Sequence, residues 1–182
     1  MRRFFWFLNK FFMVPMFRLG LGPFFGNPLT GYIMVLKVTG RKTGKLRYVP
    51  VNYAILGGKV YCVAGFRQKS DWYRNLLAHP AIEAILPGGA IGGITTGIDD
   101  PALRVAAIRQ IFQNGGLAGF FEGFNPSRIS DEDLLLKTAD MPLICIQPAG
   151  VGNGPSDPGG LAWVWAPVSL VLLILAVWLV LR

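Results

Sequence analysis

Val38-Thr39-Gly40-Arg41-Lys42-Thr43-Gly44-Lys45-Leu46-Arg47 sets four cations around two glycines directly after an apolar run. That run, residues 32–38, alternates and is rich in β-branched side chains, which predicts a strand. A strand that feeds a Gly-rich basic loop can turn backbone N–H groups inward, while Arg41, Lys42, Lys45 and Arg47 add charge. Such a loop is suited to phosphate or carboxylate groups. It is not a Walker loop, because the Gly-x4-Gly-Lys-Ser/Thr spacing is missing and no helical pattern follows. A solvated hairpin tip would carry the same residue types, and the charge distribution separates the two readings. Residues 37–74 hold nine cations and one acid, Asp71, whereas residues 75–182 are net acidic. A central block this biased points to an anionic ligand or an anionic surface.

A second stretch, Ser70-Asp71-Trp72-Tyr73-Arg74-Asn75-Leu76, opens a short helix that Pro80 stops. The two stretches, in this order, are joined by Arg47, Pro50 and Asn52-Tyr53, by Ala78-His79-Pro80, and by a closing Met141-Pro142-Leu143-Ile144. Over residues 31–148 this set resembles the deazaflavin-dependent nitroreductase family. The resemblance implies a split β-barrel and coenzyme F420, a 5-deazaflavin with a phosphate and an acidic glutamate tail. It implies that Arg41, Lys42, Lys45 and Arg47, with the backbone of Gly40, Thr43 and Gly44, hold the phosphate and tail, with Lys69 adding a contact. Pro50, Asn52 and the strand end at Ala64 and Gly65 would face the ring system, and Trp72 and Asn75 would close over it.

The implied chemistry is hydride transfer from the reduced deazaflavin to an electron-poor acceptor. Tyr53, Tyr73 and Tyr48 are the candidate proton donors beside solvent. On a strand Tyr48 and Asn52 share one face and Tyr53 takes the other, so at most one set can point at the ring. The sequence departs from the family pattern in the shortened 65–70 loop, in Asn52 where a Tyr is expected, and in His79 where an Asn is usual. The same barrel with FMN is the alternative, since a basic loop suits the FMN phosphate too.

The remaining pattern predicts an α+β fold: a split barrel of mostly antiparallel strands with short flanking helices. Strands are expected over 32–38, 46–55, 59–64, 81–86, 90–98 and 142–147. Asp99-Asp100-Pro101 starts a helix that runs to about Gln113, and Ser130-Asp131-Glu132-Asp133 starts a shorter one. A Gly- and Phe-rich loop over 115–125 is expected at a pocket mouth. Cys62 and Cys145 lie inside apolar strand-like runs and read as buried free thiols. With one histidine and two cysteines, neither a metal site nor a Ser-His-Asp constellation can be assembled.

Both ends are unusually apolar. Residues 1–28 are Phe-rich, and Arg3, Lys10 and Arg18 fall on one helical face, the pattern of an in-plane membrane helix interrupted at Pro15. The barrel domain is assigned to 29–148 and a Pro/Gly/Asn/Ser linker to 149–160. Residues 161–182 form an anchor: the run 161–181 has no formal charge, is about 30 Å long as a helix, and carries Trp163, Trp165 and Trp178 near its ends. This organisation places a single C-terminal span in a membrane with the catalytic domain cytoplasmic. It favours a small lipophilic substrate such as a quinone or nitro compound, and membrane lipid as a partner. A non-catalytic lipid or fatty-acid binding module is the competing reading. Nucleic acid is not expected as a partner, and a homodimer is left open.

Overall fold

The computed structural model describes residues 7–27, 30–65, 67–98, 100–116, 125–154 and 160–181. A π-helical turn, Asn9–Met13, runs into α1 (Val14–Arg18), and a two-residue strand β1 (Gly26–Asn27) follows. Then come β2 (Gly31–Thr39), β3 (Leu46–Leu56), β4 (Lys59–Val63), α2 (Asp71–Ala78), β5 (Ala81–Leu86) and β6 (Gly89–Gly97). The chain continues with α3 (Pro101–Gln113), α4 (Asp131–Lys137), β7 (Leu143–Val151) and α5 (Trp165–Val180).

The strands follow the order β1-β2-β3-β4-β7-β6-β5, and an additional β2–β5 pairing closes β2 to β7 into a six-stranded barrel. Every pairing is antiparallel. Alternation along β2 builds two cores at once. Met34, Leu36 and Val38 point into the barrel against Tyr53, Cys62, Ala84, Ile144 and Ile146. Val35 points out and meets Met13, Phe17 and Ile85. Each such fully buried side chain contributes roughly 1.5–3 kcal/mol. A third cluster lies outside β3, β4 and β7, where Ala107, Ile108, Ile111 and Phe112 of α3 and Leu134 of α4 cover Ala54, Tyr61 and Cys145.

The helix starts follow the expected caps. Asp100 accepts from the backbone N–H groups of Ala102 and Leu103, and Ser130 accepts from that of Asp133. Asp99 and the loop residues 117–124, Glu122 and the phenylalanines 120, 121 and 124 among them, lie outside the described residues. The last strand departs from expectation. It runs to Val151, four residues past Gln147, and so occupies the start of the expected linker. Pro148 has no N–H to give, and a register shift at Gly92/Gly93 accommodates it. At Gly93 a Cβ would meet the Gln147 carbonyl oxygen at 2.7 Å, so only glycine fits this approach.

Met13 and Phe17 pack on the outside of β2 and β5, while Phe7, Phe11 and Phe12 stay exposed. The helical register therefore turns aromatic side chains, as well as Lys10, toward the surroundings. Residues 1–6, Arg3 included, lie outside the described residues.

Cys62 and Cys145 occupy neighbouring strands, but Cys62 faces the barrel interior and Cys145 the α3 side, so their side chains point apart. Burial, then the neighbouring Cys145, push the Cys62 thiol up to about 12. Since the thiolate is the reactive form, neither cysteine is expected to react with a maleimide or disulfide reagent in the folded protein at pH 8. Both become titratable in denaturant; labelling of the native protein at the denatured rate would contradict this packing.

Candidate functional site

The basic loop joins β2 to β3 and is a tight, internally bonded turn. The N–H of Gly40 donates to the Lys45 carbonyl at 2.9 Å, and those of Thr43 and Gly44 donate to the Gly40 carbonyl at 3.2 and 2.8 Å. Gly44 has φ +66°, the left-handed conformation that lets this turn close. The Lys45 N–H reaches Thr43 Oγ1 at 3.4 Å, and the Arg41 N–H donates to Asn75 Oδ1 at 3.2 Å. The N–H groups of Gly40, Arg41, Thr43, Gly44 and Lys45 are already used within the protein, so the loop presents side-chain charge instead.

Arg41 is the device that holds this loop. Its Nη1 donates to Asn75 Oδ1 at 2.9 Å and to the Asp71 carbonyl at 3.2 Å, and its Nη2 meets Asp71 Oδ1 at 3.0 Å. Asp71 and Asn75 are four residues apart, hence on one face of α2. The loop is thus stapled to the first turns of that helix. The hydrogen bond from Arg41, and then its charge, hold the Asp71 carboxyl below the usual carboxylate range. A lowered value means the contact is complete at neutral pH and is lost only as pH falls through that lowered value. Lys42, Lys45 and Arg47 are exposed and pair with no carboxylate among the described residues. Lys37 leaves the cationic block altogether, because its Nζ lies 3.0 Å from Glu83 Oε2 with both side chains largely buried.

At the helix start stands Ser70, which is only 7% exposed. Its hydroxyl makes no cap bond to α2 and has no hydrogen-bond partner. A buried hydroxyl without a partner calls for an explanation, and an anionic group at this helix end would supply one. The sequence reading saw Ser70 only as a cap. The opposite face of α2, carrying Tyr73, Leu76 and Leu77, lines an apolar crevice completed by Pro80, Thr95, Thr96, Leu143 and Ile144. One helix therefore separates a cationic edge from an apolar recess. The threonines of that recess come from β6 and carried no sequence signal.

The other expected site residues are spread over the barrel. Tyr53 faces the interior, and burial, then Tyr32, raise its phenol above the ordinary value. Ala64 is also interior, whereas Gly65 and Lys69 are exposed. Trp72 and Tyr73 are half-buried against the interior cluster. Pro50 and Asn52 alternate out of the barrel, opposite Val35 and Ile33, and Asn52 Nδ2 lies 3.4 Å from the Tyr32 carbonyl. Tyr48 lies outside too, packed against the Met13–Phe17 cluster with the Arg18 guanidinium 4.9 Å from its ring centroid. The three tyrosines thus occupy three different surroundings and do not converge. Asn114, which sequence reasoning did not single out, ties α3 to the barrel by donating to the Tyr53 carbonyl at 2.8 Å while its own carbonyl accepts from Tyr32.

Asn75→Ala removes the shared acceptor of two Arg41 donors inside a buried contact. It is expected to lower stability by about 1–2 kcal/mol, measured by urea unfolding. A change below about 0.3 kcal/mol would mean the staple contributes nothing.

Comparison with known proteins bears on this arrangement. A search among curated proteins by sequence gives no match. Among solved structures, an F420-H2 dependent reductase is similar at 20% identity, covering 63% of this chain and 93% of that one with a TM-score of 0.43. A conserved hypothetical protein from Mycobacterium tuberculosis is similar at 14% identity, covering 69% and 77% with a TM-score of 0.46. A heme storage protein from Vibrio cholerae is similar at 12% identity, covering 69% and 90% with a TM-score of 0.44. Likenesses this distant carry no functional argument. The family model described as F420H(2)-dependent quinone reductase matches residues 15–99, from α1 to just past β6, and takes in both the basic loop and α2. Over that segment, a little under half of its length, the chain is similar to the F420H(2)-dependent quinone reductases, which supports an oxidoreductase that uses coenzyme F420.

Proposed function

We propose that this protein is a membrane-anchored reductase that passes a hydride from reduced coenzyme F420 to a lipophilic acceptor, a quinone in the first instance. The observation that carries the reading is the β2–β3 loop, stapled through Arg41 to the helix that the orphaned Ser70 hydroxyl precedes, with three cations that pair with no carboxylate among the described residues, all within the family-matched segment. That donor set fits the group: a phosphate and a chain of carboxylates need several cations in a fixed arrangement and offer oxygen to an unpartnered hydroxyl.

Bound F420 supplies the hydride chemistry; the protein supplies position and electrostatics. Lys42, Lys45 and Arg47 would hold the anionic tail, with Lys69 near the same end. Arg41 and Asn75 act one step back, by keeping the loop in place. The crevice against Tyr73 and Leu76 is apolar and suits an uncharged ring. Tyr73 is the tyrosine that lines this crevice, so it is the donor we assign for the proton that must follow the hydride. Tyr48, under the N-terminal segment, is withdrawn from that role.

Membrane attachment supports the choice of acceptor. Residues 162–180 form a helix long and apolar enough to span a bilayer, and none of it is buried within the protein. Trp163, Trp165 and Trp178 flank it as interfacial residues do. A basic N-terminal segment prefers the anionic cytoplasmic leaflet, which puts the barrel on the cytoplasmic side.

Fluorescence titration of the full chain in mild detergent with F420 tests this reading. Wild type is expected to bind, Lys42→Ala with Lys45→Ala to bind at least tenfold more weakly, and high salt to mimic that loss. Ser70→Ala is expected to weaken F420 binding while leaving the unfolding midpoint unchanged, because the hydroxyl makes no bond within the protein. Binding of FMN in place of F420, or binding of neither, would overturn the proposal. So would failure of the loaded protein to oxidise F420H2 with any quinone.

A further inference from the structure

Arg18 has an environment that cofactor binding does not explain. It ends α1, and its carbonyl accepts from the Leu161 N–H at 2.9 Å. The next carbonyl, that of Leu19, accepts from Trp165 Nε1 at 2.7 Å. Arg18 therefore stands at the foot of the apolar helix α5, joined to it through the backbone. Its guanidinium lies over the Tyr48 ring, with the central carbon 4.9 Å from the centroid. It pairs with no carboxylate among the described residues. Its Nε is buried without a hydrogen-bond partner, and so is the Tyr48 hydroxyl.

A partly buried guanidinium with no counterion is costly. Stacking on a ring offsets part of this, but it satisfies none of the N–H donors. What the pair lacks is an anion with several oxygens. A planar forked cation beside a phenol hydroxyl is a donor set suited to phosphate. The location says which phosphate. Trp163, 69% exposed, stands at the start of a helix that is exposed along its length, and Phe7, Phe11 and Phe12 of the segment that leads to Arg18 are exposed as well. An aromatic girdle of this kind marks the headgroup level of a bilayer. Phe17, the neighbour of Arg18 in the chain, also walls an apolar crevice against Pro23, Leu86, Pro87 and Val151, a lining suited to an acyl chain.

We propose that Arg18 and Tyr48 form a binding site for the phosphate of an anionic phospholipid at the foot of the membrane span. The inference rests on reading α5 as a membrane span and is independent of F420. Such a lipid neutralises the cation where the span leaves the barrel and so fixes the tilt of the barrel on the bilayer. Tyr48 then serves as a lipid contact, not as a proton donor.

The test is native mass spectrometry of the full chain released from neutral detergent micelles doped with equal phosphatidylglycerol and phosphatidylcholine. Wild type is expected to retain phosphatidylglycerol about fivefold over phosphatidylcholine, with inorganic phosphate failing to displace it. Arg18→Gln and Tyr48→Phe are each expected to bring the ratio toward one. Lys59→Gln, which removes the same charge from the β3–β4 hairpin, is expected to leave it unchanged. Tyr48→Phe deletes a single oxygen and keeps the assay informative if Arg18→Gln does not fold. Equal retention of the two lipids by wild type, an unchanged ratio in both variants, or displacement by inorganic phosphate would each overturn the lipid site. Flotation of wild type on phosphatidylcholine vesicles checks the span separately; loss of flotation would overturn the membrane reading and this site with it, leaving F420 binding untouched.

Discussion

Strand β2 is the constraint on which the rest of the molecule depends. It pairs with β1, β3 and β5, and its β5 pairing is what closes the barrel. A strand bonded on both edges and covered on both faces has no exposed edge to protect. Its inward residues, Met34, Leu36 and Val38, build the barrel core, and its outward Val35 receives the N-terminal segment. Lys37 on that outer face is neutralised by Glu83 directly across the β2–β5 pairing. Glu83 in turn accepts from the Gly154 N–H at 2.6 Å, so the same carboxylate ties the chain beyond β7 back to the barrel.

The basic loop is a consequence of that strand. It emerges where β2 ends, and its position is fixed before any ligand arrives by Arg41 reaching Asp71 and Asn75. Preorganisation of this kind lowers the ordering cost of binding. It also divides the cations into two kinds. Arg41 and Lys37 are paired with carboxylates, whereas Lys42, Lys45 and Arg47 meet none among the described residues. A run of like charges is therefore not a uniform site, and the residues that look most alike in sequence have different tasks.

At the other side of the barrel, two bonds join the N-terminal segment to the start of α5, from Leu161 N–H to Arg18 and from Trp165 Nε1 to Leu19. These bonds hold the first residues of the C-terminal apolar segment against the end of α1.

The sequence by itself determined the elements. Alternation over 32–38, Gly57-Gly58, the Asp100 and Ser130 caps and the uncharged run near the C-terminus are local signals, set by side-chain period, turn conformation and end chemistry within a few residues. The closing strand escaped it at Pro148–Val151, because a proline and a glycine are poor strand formers and are accommodated there by a register shift against Gly92 and Gly93 of β6. Only the tertiary structure decided which of the candidate side chains meet. Arg41 and Asn75 are thirty-four residues apart, Lys37 and Glu83 forty-six, and Arg18 and Tyr48 thirty. Pairings at that separation are set by barrel closure and strand register, where a shift of one residue would turn every side chain to the other face. That is why Tyr48 and Tyr53, five positions apart on one strand, end against the N-terminal segment and in the barrel interior.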